Sequence, residues 1–250
     1  MAVVAIYSIK GGVGKTTLAA NLAYYCATLS CRQTLLWDLD AAGGAGFLLG
    51  VDAKPGQKGA GKRANSIFTR EQDPAKLIRQ TPYPNLDILP ADESIRALDS
   101  QFASIGKRKR LAKLTENLSR KYERIIFDCP PVLNEVSAQV MRAADLVIVP
   151  LPPSPLSARA FELVAEEVAA TSKPHPSILP VLSMLDMRRT LHREAREANP
   201  GWPAIPLASV VEQCAVRQQP VGAFAPRSPA ARSLQQLWTA IERKLEAKAG

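Results

Sequence analysis

The chain has 250 residues, of which 46% are hydrophobic and 22% are charged, and its formal net charge is +9. This length suits one large α/β domain, and no apolar run approaches the roughly 20 residues that a transmembrane helix needs. The four cysteines form no C-x-x-C pair and the two histidines are isolated, so neither a disulfide framework nor a zinc site is indicated.

The chain opens with an apolar segment, MAVVAIYSI, that no basic residue precedes. A secretory signal needs a positively charged stretch before its apolar region and a small-residue cleavage site after it. We therefore expect a cytoplasmic protein. The positive net charge is compatible with a polyanionic partner such as nucleic acid or an acidic membrane, but charge alone does not choose between them.

Six short apolar runs predict β-strands. In chain order they cover residues 3–9, 34–40, 86–90, 124–128, 145–151 and 178–184. Their nearly continuous apolar character is typical of strands buried on both faces, as in a parallel sheet. Helical patterns lie between them, for example over residues 16–29 and 157–171. The alternation predicts an α/β fold, a doubly wound and mostly parallel sheet with helices on both faces, which binds ligands at the carboxyl ends of its strands.

One segment interrupts this alternation. Residues 53–65, AKPGQKGAGKRAN, contain three glycines, one proline and four basic residues. Such a composition predicts a mobile loop within a domain and does not suggest a boundary between domains. We therefore expect residues 1–250 to form a single domain.

A glycine-rich loop, KGGVGKTT, follows the first predicted strand and opens the first predicted helix. In this context the backbone N–H groups of a loop surround a phosphate, and the helix N-terminus adds positive potential. Lys15 is predicted to reach the β- and γ-phosphates of a nucleotide, and the Thr16 hydroxyl is predicted to ligate Mg²⁺. The predicted nucleotide contacts are Lys10, Gly11, Gly12, Val13, Gly14, Lys15, Thr16 and Thr17.

The loop departs from the usual pattern at its start. The pattern G-x-x-x-x-G-K-[ST] has a glycine where this chain has Ile9, and Lys10 follows. The string KGGVGKTT resembles the deviant Walker A motif, K-G-G-x-G-K-[ST], of the ParA/MinD family of P-loop ATPases. The resemblance implies ATP and Mg²⁺ as cofactors and an ATP-dependent homodimer in which Lys10 contacts the ATP held by the other copy. It also implies catalytic roles for Lys10, Lys15 and Asp40.

Three aspartates lie at the carboxyl ends of predicted strands, and each belongs to a segment that resembles the same family. In LLWDLDAAGG, alternation along a strand would turn Asp38 and Asp40 to the same side. The resemblance implies that Asp40 positions the attacking water and that Asp38 lies near the Mg²⁺. The family usually continues D-P-Q after the second aspartate, whereas this chain continues with Ala41. The segment RIIFDCPP resembles the Walker B strand, which makes Asp128 a second Mg²⁺ residue.

The last third of the chain also resembles the family. There the adenine base would lie against backbone near Met184 and Pro206. In the partition branch of the family, arginines of this region form a strip across the dimer that binds DNA backbone without reading sequence. The matching residues are Arg188, Arg189, Arg193, Arg217, Arg227 and Arg232. Ordinary solvated surface arginines are the alternative.

The resemblance implies a ParA-like ATPase that binds the nucleoid, with a ParB-like or cargo-adaptor protein that stimulates slow ATP hydrolysis and releases the DNA. Two alternatives remain open. A MinD-like membrane switch would insert an amphipathic helix, and an apolar stripe does run along the last segment. Its members are Leu234, Leu237, Trp238, Ile241 and Leu245. The same spacing suits packing on the sheet, so the sequence favours DNA over a membrane. A metabolic P-loop enzyme is the other alternative.

Overall fold

The computed structural model describes residues 1–51, 64, 66–69, 73–97, 109–171 and 175–249. The predicted mobile loop at 53–65 therefore lies outside the described residues, apart from Ala64. Ala64 is buried and its backbone N–H donates a hydrogen bond of 2.8 Å to the Asp92 carboxylate.

The described residues form an eight-stranded sheet with the strand order β3-β4-β2-β5-β1-β6-β7-β8. The strands are β1 Ala2–Ile6, β2 Thr34–Asp38, β3 Arg79–Gln80, β4 Leu86–Leu89, β5 Arg124–Asp128, β6 Leu146–Leu151, β7 Ser177–Leu185 and β8 Ala204–Pro206. All neighbouring pairs are parallel except β3 with β4. The predicted mostly parallel sheet is confirmed.

Helices connect the strands within the described ranges. They are α1 Lys15–Thr28, α2 Gly44–Leu48, α3 Ser66–Thr69, α4 Arg110–Leu118, α5 Glu135–Ala143, α6 Pro155–Ala170, α7 Thr190–Ala198, α8 Ser209–Arg217, α9 Val221–Phe224 and α10 Pro229–Ala249. Short 3₁₀ turns cover Pro74–Lys76 and Glu93–Ala97.

Alternate residues of the central strands enter two separate cores. In β5, Ile125 and Phe127 pack with helices α4, α5 and α6 on one face of the sheet. Ile126, between them in sequence, packs with α1 and α10 on the other face. Because side chains of a strand point alternately to its two faces, a strand covered on both sides needs apolar residues at every position. The doubly wound arrangement is thereby confirmed.

The apolar stripe of the terminal helix lies inside the second of these cores. All five members, from Leu234 to Leu245, are buried, and Trp238 is fully enclosed. These side chains therefore cover the sheet and α1, and they are not available for insertion into a bilayer. No helix in the described part of the chain has the length and apolarity to cross a membrane.

Two details of the strand prediction were wrong. The edge strands β3 and β8 were not predicted, and β1 and β2 were predicted to run too far. Strand β1 ends at Ile6 and β2 ends at Asp38, so Lys10 and Asp40 lie in loops. The argument that strand alternation turns Asp38 and Asp40 to the same side therefore does not hold.

Candidate functional site

The site is built where the carboxyl ends of β1, β2 and β5 lie side by side. Asp128 closes β5 and is in register with Ile6 of β1 on one side and with Asp38 of β2 on the other. The glycine loop leaves β1 at this same edge. Parallel pairing thus brings together the loop and two of the three predicted aspartates, although Asp38 and Asp128 are far apart in sequence.

The glycine loop is shaped by left-handed backbone at two positions. Gly12 has φ 71° and Gly14 has φ 89°, and Gly14 is the N-cap of α1. Residues with a side chain rarely adopt these values, so the pattern of glycines is a requirement of the turn. A Cβ added at Gly11 or Gly12 would meet no atom within 4 Å. The loop therefore leaves open space above its backbone, as a phosphate cradle requires.

Lys15 lies in the first turn of α1 and is almost fully buried. Its ammonium donates a hydrogen bond of 3.0 Å to the backbone carbonyl of Lys10. Burial lowers the pKa of the Lys15 ammonium, and the nearby carboxylates of Asp128 and Asp40 act against this shift. The side chain is thus already held at the loop, close to two acidic groups.

Asp128 is a fully buried carboxylate without a hydrogen bond. Neither of its oxygens has a hydrogen-bond partner within the described part of the chain. Burial raises the pKa of this carboxyl well above its ordinary value, and the neighbouring Asp38 raises it further. The Thr16 hydroxyl lies near enough to lower the pKa in part, but without a hydrogen bond of regular geometry. Buried carboxylates are normally paired, and oxygens without a partner among the described residues suit a bound cation.

Asp38 is buried beside Asp128 but is held differently. One of its oxygens accepts from the Asp40 backbone N–H at 2.9 Å, and the other accepts from the Ala45 N–H at 3.1 Å. Asp38 therefore fixes the loop that follows β2. Two buried carboxylates and a hydroxyl fit a Mg²⁺ ion, a hard cation that prefers oxygen ligands and keeps several of its waters. Thr16, Asp38 and Asp128 supply this set.

Asp40 lies in the loop after β2 and is half-buried. Its Oδ1 accepts from the Ala42 N–H at 3.0 Å, and its carboxylate is close enough to Asp128 to raise the pKa of that group. Asp40 therefore lies near Asp128, and the loop after β2, not the strand itself, places it there.

Ala41 and Ala42 stand where the family has Pro-Gln, and the two glycines that follow them have a structural reason. Gly43 has φ 66°, in the left-handed region. A Cβ added to Gly44 would lie 3.1 Å from Cγ2 of Thr16, tighter than ordinary van der Waals contact. The small residues thus let the start of α2 pack directly on Thr16. Sequence reasoning noted the departure but did not assign this contact.

Lys10 contacts its own chain. Its ammonium donates to Ser157 Oγ at 3.0 Å and to Ser154 Oγ at 3.4 Å, and both serines lie at the start of α6. These serines were missed by sequence reasoning. The string SPLS, with a serine before a proline, is a signal for a helix start, but nothing in it indicates a contact with Lys10.

A cavity of about 230 Å³ lies beside the glycine loop. Gly14 and Thr17 line it from the loop and α1, while Met184 and Pro206 line it from the ends of β7 and β8. Met184 has φ 53°, and its Cε would lie 3.5 Å from a Cβ on Gly14. The structure thus brings the two predicted adenine residues to the same cavity, next to the phosphate loop.

The six predicted DNA-binding arginines are all exposed. Arg188 forms a two-bond ion pair with Asp186 at 2.8 and 2.9 Å and holds the pKa of that carboxyl at about 2. Arg193 donates to backbone carbonyls and to Thr190, and Arg217 stacks over the Phe224 ring at 5.0 Å. Arg189 and Arg227 have no side-chain partner in the part of the chain that the structure describes.

A family profile described as an AAA domain matches residues 1–178, well over half of the chain. The chain belongs to this family. Its relatives include the sporulation initiation inhibitor protein Soj of Bacillus subtilis, 31% identical over 150 residues that cover 60% of this chain and 57% of Soj. The cell division protein PomZ of Myxococcus xanthus is 27% identical over 213 residues, 83% of this chain and 65% of PomZ. The chain spans about half to two thirds of the length of the curated relatives it matches.

Solved structures with the same fold carry nucleotides. A Cyanothece McdA variant in complex with ATP has a TM-score of 0.81 at 20% identity and covers 98% of this chain and 96% of its own. Pyrococcus horikoshii MinD with Mg-ADP has a TM-score of 0.76 at 22% identity, covering 99% and 98%. Cobyrinic acid a,c-diamide synthase of Mycobacterium smegmatis, with an ATP analogue and magnesium, has a TM-score of 0.79 at 23% identity, covering 99% and 97%. The predicted ParA/MinD type of P-loop ATPase fold is confirmed.

Proposed function

We propose that this chain is a ParA-like ATPase that acts as one domain over residues 1–250. ATP would pair two copies, the pair would bind DNA without reading its sequence, and a ParB-like or cargo-adaptor protein would stimulate hydrolysis and release the DNA. The cycle would partition or position a cargo over the nucleoid. The observation that carries the proposal is a glycine loop with two lysines beside the buried carboxylate of Asp128, which has no hydrogen bond among the described residues.

ATP and Mg²⁺ are the cofactors of this activity. The backbone N–H groups of the loop bind the β- and γ-phosphates, and the adenine base occupies the cavity beside Met184 and Pro206. Thr16 and Asp128 hold the ion, with Asp38 next to them. When bound, Mg²⁺ neutralises charge that develops on the phosphates.

Hydrolysis needs a positioned water and positive charge where the leaving phosphate gains negative charge. Asp40 orients the water, because its carboxylate lies near Lys15 and Asp128 and is held by the bond from the Ala42 N–H. Lys15 supplies the charge from the same chain. Lys10 supplies it from the second copy and couples pairing to the presence of ATP.

Lys10→Ala tests the pairing. The variant should bind ATP as the wild type does and should fail to dimerise, because the lost ammonium acts on the other copy's nucleotide. Analytical ultracentrifugation with and without ATP measures this, with Lys121→Ala as a control at an exposed lysine far from the loop. Equal dimerisation of Lys10→Ala and wild type would refute the role.

The function of the pair is tested by a gel shift on DNA of arbitrary sequence, with ATP, with ADP and without nucleotide. Asp40→Ala protein is used because loss of hydrolysis should trap the ATP form. Retardation is expected with ATP alone. If about four phosphates are neutralised per dimer, affinity should fall with roughly the 3.6th power of salt concentration.

Arginine variants identify the DNA surface. Arg189→Ala should weaken the shift, since Arg189 follows β7 at the carboxyl edge of the sheet and has no partner within the described residues. Arg120→Ala is the matched control, because Arg120 is also exposed but precedes β5 at the opposite edge. Intact ATP-dependent pairing without any DNA shift would overturn the DNA proposal, and vesicles of acidic lipid would then be tested.

A further inference from the structure

The ammonium of Lys10 is bonded within its own chain in a three-membered cluster. Lys10 Nζ lies 3.0 Å from Ser157 Oγ and 3.4 Å from Ser154 Oγ, and the two hydroxyls lie 2.9 Å from each other. This cluster joins the start of the phosphate loop to the start of α6. It spans more than 140 residues of sequence, so only the fold creates it.

The two serines are held in place independently of Lys10. Ser154 is the N-cap of α6, its Oγ accepts from the Ser157 backbone N–H at 3.2 Å, and Pro155 follows at the first helical position. Ser157 is only 2% exposed. An N-cap and a buried first turn have little freedom, so the hydroxyls form a fixed acceptor pair.

The contact with Lys10 is nevertheless weak for a lysine ammonium. Both acceptors are neutral hydroxyls, and a neutral acceptor gives a weaker bond than a carboxylate. The N-terminus of α6 carries positive potential, which is unfavourable for a nearby cation. The two hydrogen bonds therefore hold the Lys10 ammonium in a defined place, but little free energy is needed to release it.

Lys10 is also connected to Lys15. Its backbone carbonyl accepts the hydrogen bond from the Lys15 ammonium at 3.0 Å. A Lys15 ammonium that turned to the phosphates of a nucleotide would give up this bond. The backbone of Lys10 would then keep its N–H bond to the Ser8 hydroxyl at 3.3 Å, and its ammonium would keep the two serines. Lys15 thus connects the loop that would hold phosphate to the residue that carries the seated ammonium.

We propose that Ser154 and Ser157 form a seat for the Lys10 ammonium in the unpaired chain, and that this seat competes with the second copy for Lys10. The serines are positioning residues that set how readily ATP causes pairing. This inference rests on the proposed function, because it assumes that Lys10 acts on the second copy.

The seat itself is tested without nucleotide. Lys10 in the wild type and in Ser157→Ala is acylated with an amine-reactive reagent, and the labelling rate at Lys10 is followed by mass spectrometry. Loss of one hydrogen bond should raise the rate about fivefold. Ser137→Ala is the matched control, because Ser137 is equally buried at 2% and occupies the same third position of its helix, after the Asn134 N-cap. An unchanged rate in Ser157→Ala would overturn the seat.

The competition is tested by sedimentation with ATP. Ser157→Ala should dimerise with a dissociation constant roughly three- to tenfold lower than the wild type, while Ser137→Ala should match the wild type. Faster labelling with unchanged dimerisation would overturn the competition and leave the proposed function standing. No ATP-dependent dimer in the wild type would overturn both.

A second variant keeps the proposal testable if Ser157→Ala fails to fold. Ser154→Gly removes the other hydroxyl at a cap where glycine costs only a few tenths of a kcal/mol. It should change labelling and dimerisation in the same direction as Ser157→Ala. Opposite directions in two folded variants would contradict a shared seat.

Discussion

Each end of strand β5 carries a buried charged side chain, and the two side chains differ in whether they have a hydrogen-bonded partner. At its amino end, the Arg124 guanidinium lies against the Glu242 carboxylate of α10, with bonds of 2.7 and 3.0 Å. At its carboxyl end, four residues along the same strand, Asp128 is fully buried without a hydrogen bond in the described part of the chain. The strand thus carries one satisfied charge and one unsatisfied charge.

This difference distinguishes charges that stabilise the fold from charges that bind a ligand. A buried charge costs free energy unless it is paired and hydrogen-bonded. The Lys15 ammonium lies near Asp128 but bonds to the Lys10 carbonyl, so within the described residues the Asp128 oxygens keep no hydrogen bond. Arg124 and Glu242 join the sheet to the terminal helix. Asp128, with Asp38 beside it, leaves a negative site next to a phosphate loop, and perturbed groups of this kind concentrate at functional sites.

Removing one partner of the satisfied pair should have the largest effect. Glu242→Ala leaves Arg124 buried and unpaired, so the free energy of unfolding should fall by about 3–5 kcal/mol, measured by urea denaturation. Glu246→Ala on the same helix is the control, since Glu246 is 54% exposed and its bond to Arg32 should contribute less than about 1 kcal/mol. Similar losses of unfolding free energy for Glu242→Ala and Glu246→Ala would contradict the distinction between the buried and the exposed ion pair.

Removing the lysine ammonium at the carboxyl end of β5 should affect ligand binding most. Lys15→Ala is expected to weaken ATP binding about 100-fold, because its ammonium would contact the phosphates. Titration calorimetry measures the affinity, and Lys121→Ala should bind ATP normally. A Lys15→Ala protein with wild-type affinity would contradict the assigned loop.

Neutralising the unsatisfied carboxylate should stabilise the ligand-free protein. The pKa of Asp128 is raised in the folded state, so its favourable contribution is present at low pH and is lost as the pH rises above the ordinary aspartate value of 3.8. Asp128→Asn should therefore gain about 1–2 kcal/mol near pH 8 and less near pH 5, by urea denaturation.

The same variant should lose stabilisation by Mg²⁺ with ADP, which the wild type should show. Asp87→Asn provides the contrast, because Asp87 is paired with Lys121 and Tyr122 and its removal should bring no gain. Destabilisation of Asp128→Asn at both pH values would show that Asp128 belongs with the structural charges.

The smallest loss of stability is expected for Arg32, which bonds to Glu242 from the solvent-exposed side of the Arg124–Glu242 pair. Arg32 bonds to Glu123, Glu242 and Glu246, but its side chain is 31% exposed. Water and salt screen such pairs, so Arg32→Ala should cost less than about 1 kcal/mol, and added salt should reduce the difference further. A loss as large as that of Glu242→Ala would place Arg32 in the buried network.

The central part of the fold was predictable because both faces of its strands are covered. Runs such as RIIFD of β5 are apolar at nearly every position, and this signal is strong in sequence. The edge strands gave no such signal. Strand β3 has two polar residues, Arg79 and Gln80, and pairs through its backbone alone, while β8 has three residues and ends in a proline.

Parts of the candidate site were likewise predictable from sequence, and other parts were not. The glycine loop was predictable because its chemistry is local, with Lys15 and Thr16 directly after the turn. The seat of Lys10 was not, since Ser154 and Ser157 reach it only through the parallel packing of β1 beside β6. The position of Asp40 was predicted for a wrong reason, because β2 ends two residues earlier.

The cavity beside the glycine loop has walls from two distant parts of the chain. Gly14 belongs to the glycine loop and Thr17 to the first helix, whereas Pro206 and Val211 lie beyond residue 178, where the family match ends. On the proposed assignment, the surface for the base and the surface for the phosphates are encoded in separate stretches of sequence. Substitutions in the last third of the chain would then change which base is preferred without altering the loop, and base preference and phosphate chemistry could evolve independently.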